Sequence, residues 1–329
     1  MNILPICYFP TTVVLIDDNK IFLSNLNMAL DSDRKYLTYS NAIEALKFCK
    51  ESYHPDNFTK RFAEEIYGEG YQSRAINFNI SDLYKEIYNP NRFAQISCVI
   101  VDYDMPGVNG LEICAAITDP NIKKILLTGA ADEHLAVKAF NQGLISHFIS
   151  KTDIDAINKV NQAIIEAEKS YFNSLSSMVA NLIISDNPYT VLADSAFREL
   201  FYNIIKKHNI VEHYLFEEYG CFLMVDKDGN CYRLFIYPEA DIEEIAIEEE
   251  KKGILDKATI NELKNKKLML CFHCGDKESI DIKDLKPFLH PAQKLVCKSG
   301  SYCYTLINEN MNIDKDKILS FNNYYNLTR

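Results

Sequence analysis

The chain has no run of about 18 apolar residues, so no segment is built to span a bilayer as a helix. Its opening, MNILPICYFP, has no basic start, and Pro5 and Pro10 interrupt the apolar stretch, which argues against a secretory leader. Positive charge is scarce: 35 Lys and Arg face 46 Asp and Glu, a formal net charge of −11. Generic attraction to nucleic acid or an anionic membrane is therefore disfavoured, although net charge leaves room for a local basic patch. There is no glycine-rich phosphate loop and no Gly-Gly-Asp-Glu-Phe cyclase signature, so no separate enzymatic output is expected. The ten cysteines mostly sit in apolar patterns, as at Cys49, Cys98, Cys114 and Cys221. Without a leader they read as small core hydrophobes, and the expected location is the cytoplasm.

The first half alternates short apolar runs with helical patterns. The runs are TTVVLIDD (11–18), KYLTYS (35–40), SCVIVD (97–102), KKILLTG (123–129) and SHFISK (146–151). Between them, helical spacing appears at 20–30 (Phe22, Leu23, Leu26, Leu30), 41–50, 110–117 and 132–143, with a cap near Ser40 or Asn41 for the second. Nearly continuous apolar strands in βα repetition predict a doubly wound, five-stranded parallel sheet of flavodoxin-like order 2-1-3-4-5. Residues 51–95 break the rhythm. They are polar and Tyr-rich, with helical pieces near 58–67 and 80–88, and read as an insertion in a first domain spanning 1–152.

Residues 153–186 form the next segment, a linker. Ile157, Val160, Ile164, Ala167, Tyr171, Leu175, Met178 and Leu182 recur at steps of three and four, close to a heptad, and Thr152-x-x-Asp155 resembles a capping box. Two readings stand: a last helix of the first domain followed by a separate linker helix, or one long helix pairing with its copy in a homodimer. Residues 187–329 then read as an α+β domain on an antiparallel sheet. It comprises a helix at 197–208, a hairpin at 221–237 turning at Asp226–Asn230, helices at 239–252 and 255–266, and strands at 267–273, 293–297 and 301–308.

Five polar residues end strands of the first domain: Asp17 and Asp18, Asp102, Thr128 and Lys151. In an open parallel sheet, that rim is where side chains meet ligands. Three carboxylates suit Mg²⁺, which takes few protein oxygens. A carboxylate can act as a nucleophile, a hydroxyl can donate to a phosphoryl oxygen, and an ammonium can pair with an acceptor carboxylate and later with phosphate. The set fits phosphoryl transfer to an aspartate. Each element alone is weak, since an Asp-Asp pair after a strand is more often a solvated turn.

VLIDDN, VDYDMPGVNG, ILLTG and HFISK resemble the receiver domain of two-component response regulators over roughly residues 10–165, less the insertion. The resemblance implies Asp102 as phospho-acceptor, Asp17 and Asp18 with Asp102 as Mg²⁺ ligands, and Thr128 and Lys151 as switch residues. It also implies a sensor histidine kinase or phosphotransfer protein as partner. No enzymatic activity is expected beyond phosphorylation and its hydrolysis at Asp102. Phe148 matches the family's rotating aromatic and equally suits a core Phe on an apolar strand. Two departures stand out: Thr152 replaces the proline that commonly follows the lysine, and Asp104 adds a charge two positions past the acceptor, where it can tune lifetime. FNISDLYKEIYNP (78–90), 123–151, 197–215 and 220–237 further resemble a group of proteobacterial regulators typified by a Legionella quorum-sensing response regulator. That similarity implies sensor kinases that answer an α-hydroxyketone signal.

For the output half, a switch of dimerisation or partner binding is weighed against a DNA-binding transcription regulator. Residues 186–329 carry 19 basic and 24 acidic side chains. Lys257, Lys264, Lys266 and Lys267 are the nearest approach to a phosphate-binding face, and the acidic run 239–250 precedes them. DNA is possible but not favoured. A zinc site at Cys271 and Cys274, with His290, Cys297 and Cys303, is disfavoured because a strand sends Cys271 and Cys274 to opposite faces.

Overall fold

The computed structural model describes residues 3–31, 33–52, 63–67, 74–129, 133–272, 285–308 and 313–327. The chain forms two compact units, one of 1–9, 59–90 and 176–329 and the other of 10–58 and 91–175.

Strand β1 (Cys7–Tyr8) belongs to the former unit, and the latter starts at β2 (Thr12–Ile16). There follow α1 (Lys20–Ala29), β3 (Lys35–Tyr39) and α2 (Ala42–Lys47), which runs on into a π-helical turn, Phe48–Ser52. Between these and the next strands of the sheet lie β4 (Ala63–Tyr67), β5 (Arg74–Phe78) and a 3₁₀ helix, Ile80–Tyr88. The sheet resumes with β6 (Ile96–Asp102), α3 (Gly110–Ala116), β7 (Lys123–Thr128), α4 (Glu133–Asn141), β8 (His147–Ser150) and α5 (Ala156–Asp186). Its strand order is β3-β2-β6-β7-β8, all parallel, which is the expected flavodoxin-like order.

Strand side chains alternate between two cores. Val14, Ile16, Val99, Val101 and Leu126 pack against Ala45, Ile113 and Ala136 on one face. Val13, Leu15, Cys98, Ile100 and Ile125 pack against Leu23, Leu26, Val160 and Ile164 on the other. With both faces covered, the strands carry no polar alternation, which explains their continuous apolar sequence. Asparagines start three helices. Asn19 Oδ1 accepts from the N–H groups of Ile21 and Phe22, Asn41 Oδ1 from Ile43 and Glu44, and Asn109 Oδ1 from Glu112.

Helix α5 is continuous over 31 residues, so the separate linker helix is corrected to a single helix. It begins at Ala156 rather than at a Thr152 cap: Thr152 Oγ1 pairs with Ser150 Oγ at 2.9 Å, and Asp153 Oδ1 takes the Asp155 N–H at 2.8 Å. Val160, Ile164, Ala167 and Tyr171 are buried, and Tyr171 donates to Gln95 Oε1 at 3.2 Å. This half of the heptad-like seam is spent in the chain's own core and offers no surface to a second copy. Buried Glu168 holds the helix down through Arg34 Nε (3.0 Å) and Thr11 Oγ1 (3.3 Å).

The other unit continues with α6 (Ser195–His208), β9 (Ile210–Glu217), β10 (Cys221–Asp226), β11 (Cys231–Pro238), α7 (Glu239–Lys252) and α8 (Lys257–Lys264). After them come β12 (Leu268–Leu270), β13 (Leu289–Pro291), β14 (Gln293–Cys297), β15 (Gly300–Ile307) and α9 (Phe321–Leu327). Six strands form an antiparallel sheet of order β1-β9-β10-β11-β15-β14, which bears out the expected α+β class. The β10–β11 turn closes on Asp226 Oδ1, which accepts from the N–H groups of Asp228 and Asn230, with Gly229 at φ +87°.

The unit boundaries differ from the expected 1–152 and 187–329. Cys7 and Tyr8 pair with Tyr214 and His213 of β9, and the 3₁₀ helix packs on β9 with Leu83 and Ile87 buried. Helix is absent at 63–67, which is β4 paired antiparallel with β5. Strand 267–273 shortens to β12, and no described helix is long and apolar enough to cross a membrane.

Candidate functional site

Strands β2, β6, β7 and β8 are consecutive neighbours, and the five polar residues stand at or just past their carboxyl ends. The register sets Ile16 beside Val101, Asp102 beside Leu127 and Thr128 beside Ser150, so the strand ends align at one rim. Asp17 and Asp102 are 1% and 5% exposed, whereas Asp18 is exposed. One oxygen from each of the three lies within 4.8 Å of the others. Among the described residues this is the cluster of His, Cys, Asp or Glu that meets such a spacing.

Two buried carboxylates side by side repel each other and lose hydration, which a nearby opposite charge offsets. Lys151 supplies it. Its Nζ lies 2.6 Å from Asp17 Oδ2 and 2.8 Å from Asp102 Oδ1. Burial pushes the Asp102 carboxyl up from its ordinary value and the Asp17 charge adds to this, while the Lys151 ammonium and the Asp104 N–H oppose it. Burial alone would lower Lys151, but its hydrogen bonds to Asp102 and Asp17 prevail and raise it. Asp17 Oδ1 is fixed separately by the Asn19 N–H at 2.9 Å.

Thr128 is buried at the rim, and its hydroxyl donates to Gly129 O at 2.9 Å rather than reaching into the carboxylate cluster. Asp104 is exposed, with its backbone N–H turned to Asp102. Phe148 is half-buried on β8, edge-on to Phe140 with ring centroids 6.3 Å apart. Gly110 closes the VDYDMPGVNG segment for a steric reason: a Cβ there would stand 2.2 Å from the Asp102 carbonyl oxygen. One neighbour escaped the sequence reading. The Phe22 ring lies beneath the Lys151 ammonium, 4.7 Å from Nζ to centroid. Helical spacing assigns Phe22 to an apolar face, and no motif ties it to a lysine 129 positions later.

An all-carboxylate set with an exposed member suits a hard divalent cation that keeps part of its water, so the residues present fit Mg²⁺. Elsewhere, three of the four candidate phosphate-binding lysines are engaged. Lys264 pairs with Glu250 (2.5 Å), Lys266 with Glu243 (3.3 Å) and Lys267 with Glu262 (3.5 Å). Of the considered zinc ligands, Cys274 lies outside the described residues. Cys297 and Cys303 are buried thiols pushed up to about 12 and about 11 by burial.

A doubly wound sheet with this acidic, lysine-bridged rim defines a receiver domain. The response regulator receiver domain family matches residues 69–162, a span holding Asp102, Thr128 and Lys151. The structure of the Legionella pneumophila response regulator LqsR is 32% identical with a TM-score of 0.76, covering 98% of this chain and 95% of that one. An adenylate cyclase from Rhodopirellula baltica is 23% identical (TM-score 0.35; 53% of this chain, 97% of that one). A response regulator receiver domain protein from Clostridium thermocellum is 19% identical (TM-score 0.31; 51% and 98%). Comparison with curated proteins found no match. The chain belongs to the two-component response regulators.

Proposed function

We propose that the protein accepts a phosphoryl group on Asp102 from a sensor histidine kinase or phosphotransfer protein and relays it as a change in assembly or partner binding. The observation that carries this is the Lys151 ammonium bridging Asp17 and Asp102 within a three-carboxylate cluster at the sheet's carboxyl rim. In the transfer, an Asp102 carboxylate oxygen attacks phosphorus, an O–P bond forms, and the donor's N–P bond breaks. The electron pair leaves with the imidazole nitrogen, which takes up a proton. Mg²⁺, held by Asp17, Asp18 and Asp102, would neutralise phosphoryl oxygens as charge shifts. Lys151 follows the charge from the carboxylate to the phosphoryl oxygen. Thr128 exchanges its bond to Gly129 O for one to the same group, with Phe148 turning into the space vacated.

For the output, the paired state of Lys264, Lys266 and Lys267 favours protein partners or self-association over direct DNA binding. The sequence resemblance supports a role in a quorum-sensing circuit. Incubation with acetyl phosphate and Mg²⁺ should add one phosphoryl group by intact mass, and none to Asp102→Asn or after chelation. A labelled Asp102→Asn protein would remove Asp102 as the acceptor. Light scattering with beryllofluoride then reads the output: a changed mass supports self-association, and an unchanged mass with new partner capture supports the other arm. Phosphorylation-enhanced, salt-sensitive promoter binding would overturn both.

A further inference from the structure

Among the described residues Lys151 is the cation drawn into the carboxylate cluster, and something must hold a long, flexible side chain there. Its two ion pairs account for part of this. The Phe22 ring accounts for more: its centroid is 4.7 Å from Nζ, inside the roughly 6 Å range at which a ring face attracts a cation. The ring's own position is tightly referenced to the site. Phe22 N–H donates to Asn19 Oδ1 at 3.0 Å, and Asn19 N–H donates to Asp17 Oδ1 at 2.9 Å, so the ring and the carboxylate share one cap residue. The rest of the ring packs on the α1–α5 side of the sheet core. The Lys151 side chain is 23% exposed, partly desolvated, which strengthens the attraction.

We propose that Phe22 is a positioning residue whose ring face keeps the Lys151 ammonium on Asp17 and Asp102, so that it sets the affinity of the acidic pocket for a divalent cation. The ammonium and a metal ion compete for the same two carboxylates. Removing the ring frees Lys151, tightens metal binding and leaves the lysine poorly placed to meet an incoming phosphoryl group. The metal half rests on the phosphoacceptor reading above, and the contact half does not.

Two readouts separate them. In proton NMR of the full chain, ring current should shift the Lys151 ε-methylene upfield; Phe22→Leu should return it to the ordinary position and Phe22→Tyr should retain it. By calorimetry, Phe22→Leu should bind Mg²⁺ about two- to fivefold more tightly than wild type, the range a cation–π contact supports. Phe22→Tyr should match wild type, and Phe22→Leu should change nothing in a Lys151→Met background. An unshifted ε-methylene in the wild type overturns the proposal, and so does an equal Phe22→Leu effect with and without Lys151. A shifted methylene in a wild type that binds no Mg²⁺ overturns the metal-site reading and the affinity claim with it, while the contact stands. Should Phe22→Leu fail to fold, the wild-type shift and Phe22→Tyr still decide.

Discussion

Asp102 is the residue on which the other charges act. It shares a buried rim with Asp17 and draws its compensation from Lys151, so a further carboxylate nearby alters both the approach of a phosphoryl group and its departure. Asp104 is placed to do so: its N–H engages Asp102 while its side chain stays exposed beside the pocket. Its charge opposes a dianionic product and can orient an attacking water. Asp104→Asn is therefore expected to lengthen the phosphoprotein lifetime by about two- to fivefold, as suits one screened charge at short range. The decay of the phosphorylated mass after donor removal measures this, and an equal or faster decay counts against it. Five of the site residues were legible because each ends an apolar strand. Phe22 was not, because the lysine it contacts comes close only in the folded sheet.

Among the elements, those that carry their own signal were readable and those made by pairing were not. Strands β2, β6, β7 and β8 are buried on both faces and announce themselves as apolar runs, and Asn19, Asn41 and Asn109 mark helix starts. The two-residue β1 exists only through β9, and β9 itself, IVEHYLFE, is not assigned from the sequence, its apolar pattern being interrupted by Glu212 and His213. His213 also sets a pH dependence. It is 5% exposed, stacks on Tyr8 at 5.7 Å and meets the edges of Phe201 and Phe222. Burial pushes it down from 6.5 to about 3, with only a Pro5 backbone hydrogen bond opposing. Its folded value lies below its unfolded one, so the neutral ring's full contribution is present above about pH 6.5 and lost as pH falls towards 3. Within that window the loss from this group should approach about 1.4 kcal/mol per pH unit. Urea unfolding across the window checks it, and His213→Phe should flatten the slope by close to one proton.

For the whole molecule, the decisive feature is that the chain passes between its two units four times, after Phe9, Phe58, Pro90 and Leu175. Sequence reading sets the first domain (1–152), the linker (153–186) and the output domain (187–329) in succession because it assumes that a receiver and its output follow each other. Instead, the strands carrying Asp17, Asp18 and Asp102 at their carboxyl ends are both entered from segments of the output unit. That unit is in turn incomplete without them. β1 supplies one edge of its sheet, and the 3₁₀ helix buries Leu83 and Ile87 over β9. Each such side chain is worth about 1.5–3 kcal/mol of burial, so the pair approaches the net stability of a marginal domain, about 5–15 kcal/mol. A fragment of residues 187–329 is thus expected to lack a cooperative urea transition and to lose the near-ultraviolet tyrosine signal of the full chain. A fragment that unfolds cooperatively at the full chain's midpoint would count against this topology as a source of stability. If the expectation holds, residues 187–329 are not a complete folding unit without 1–9 and 59–90, and output variants must be made in the intact protein.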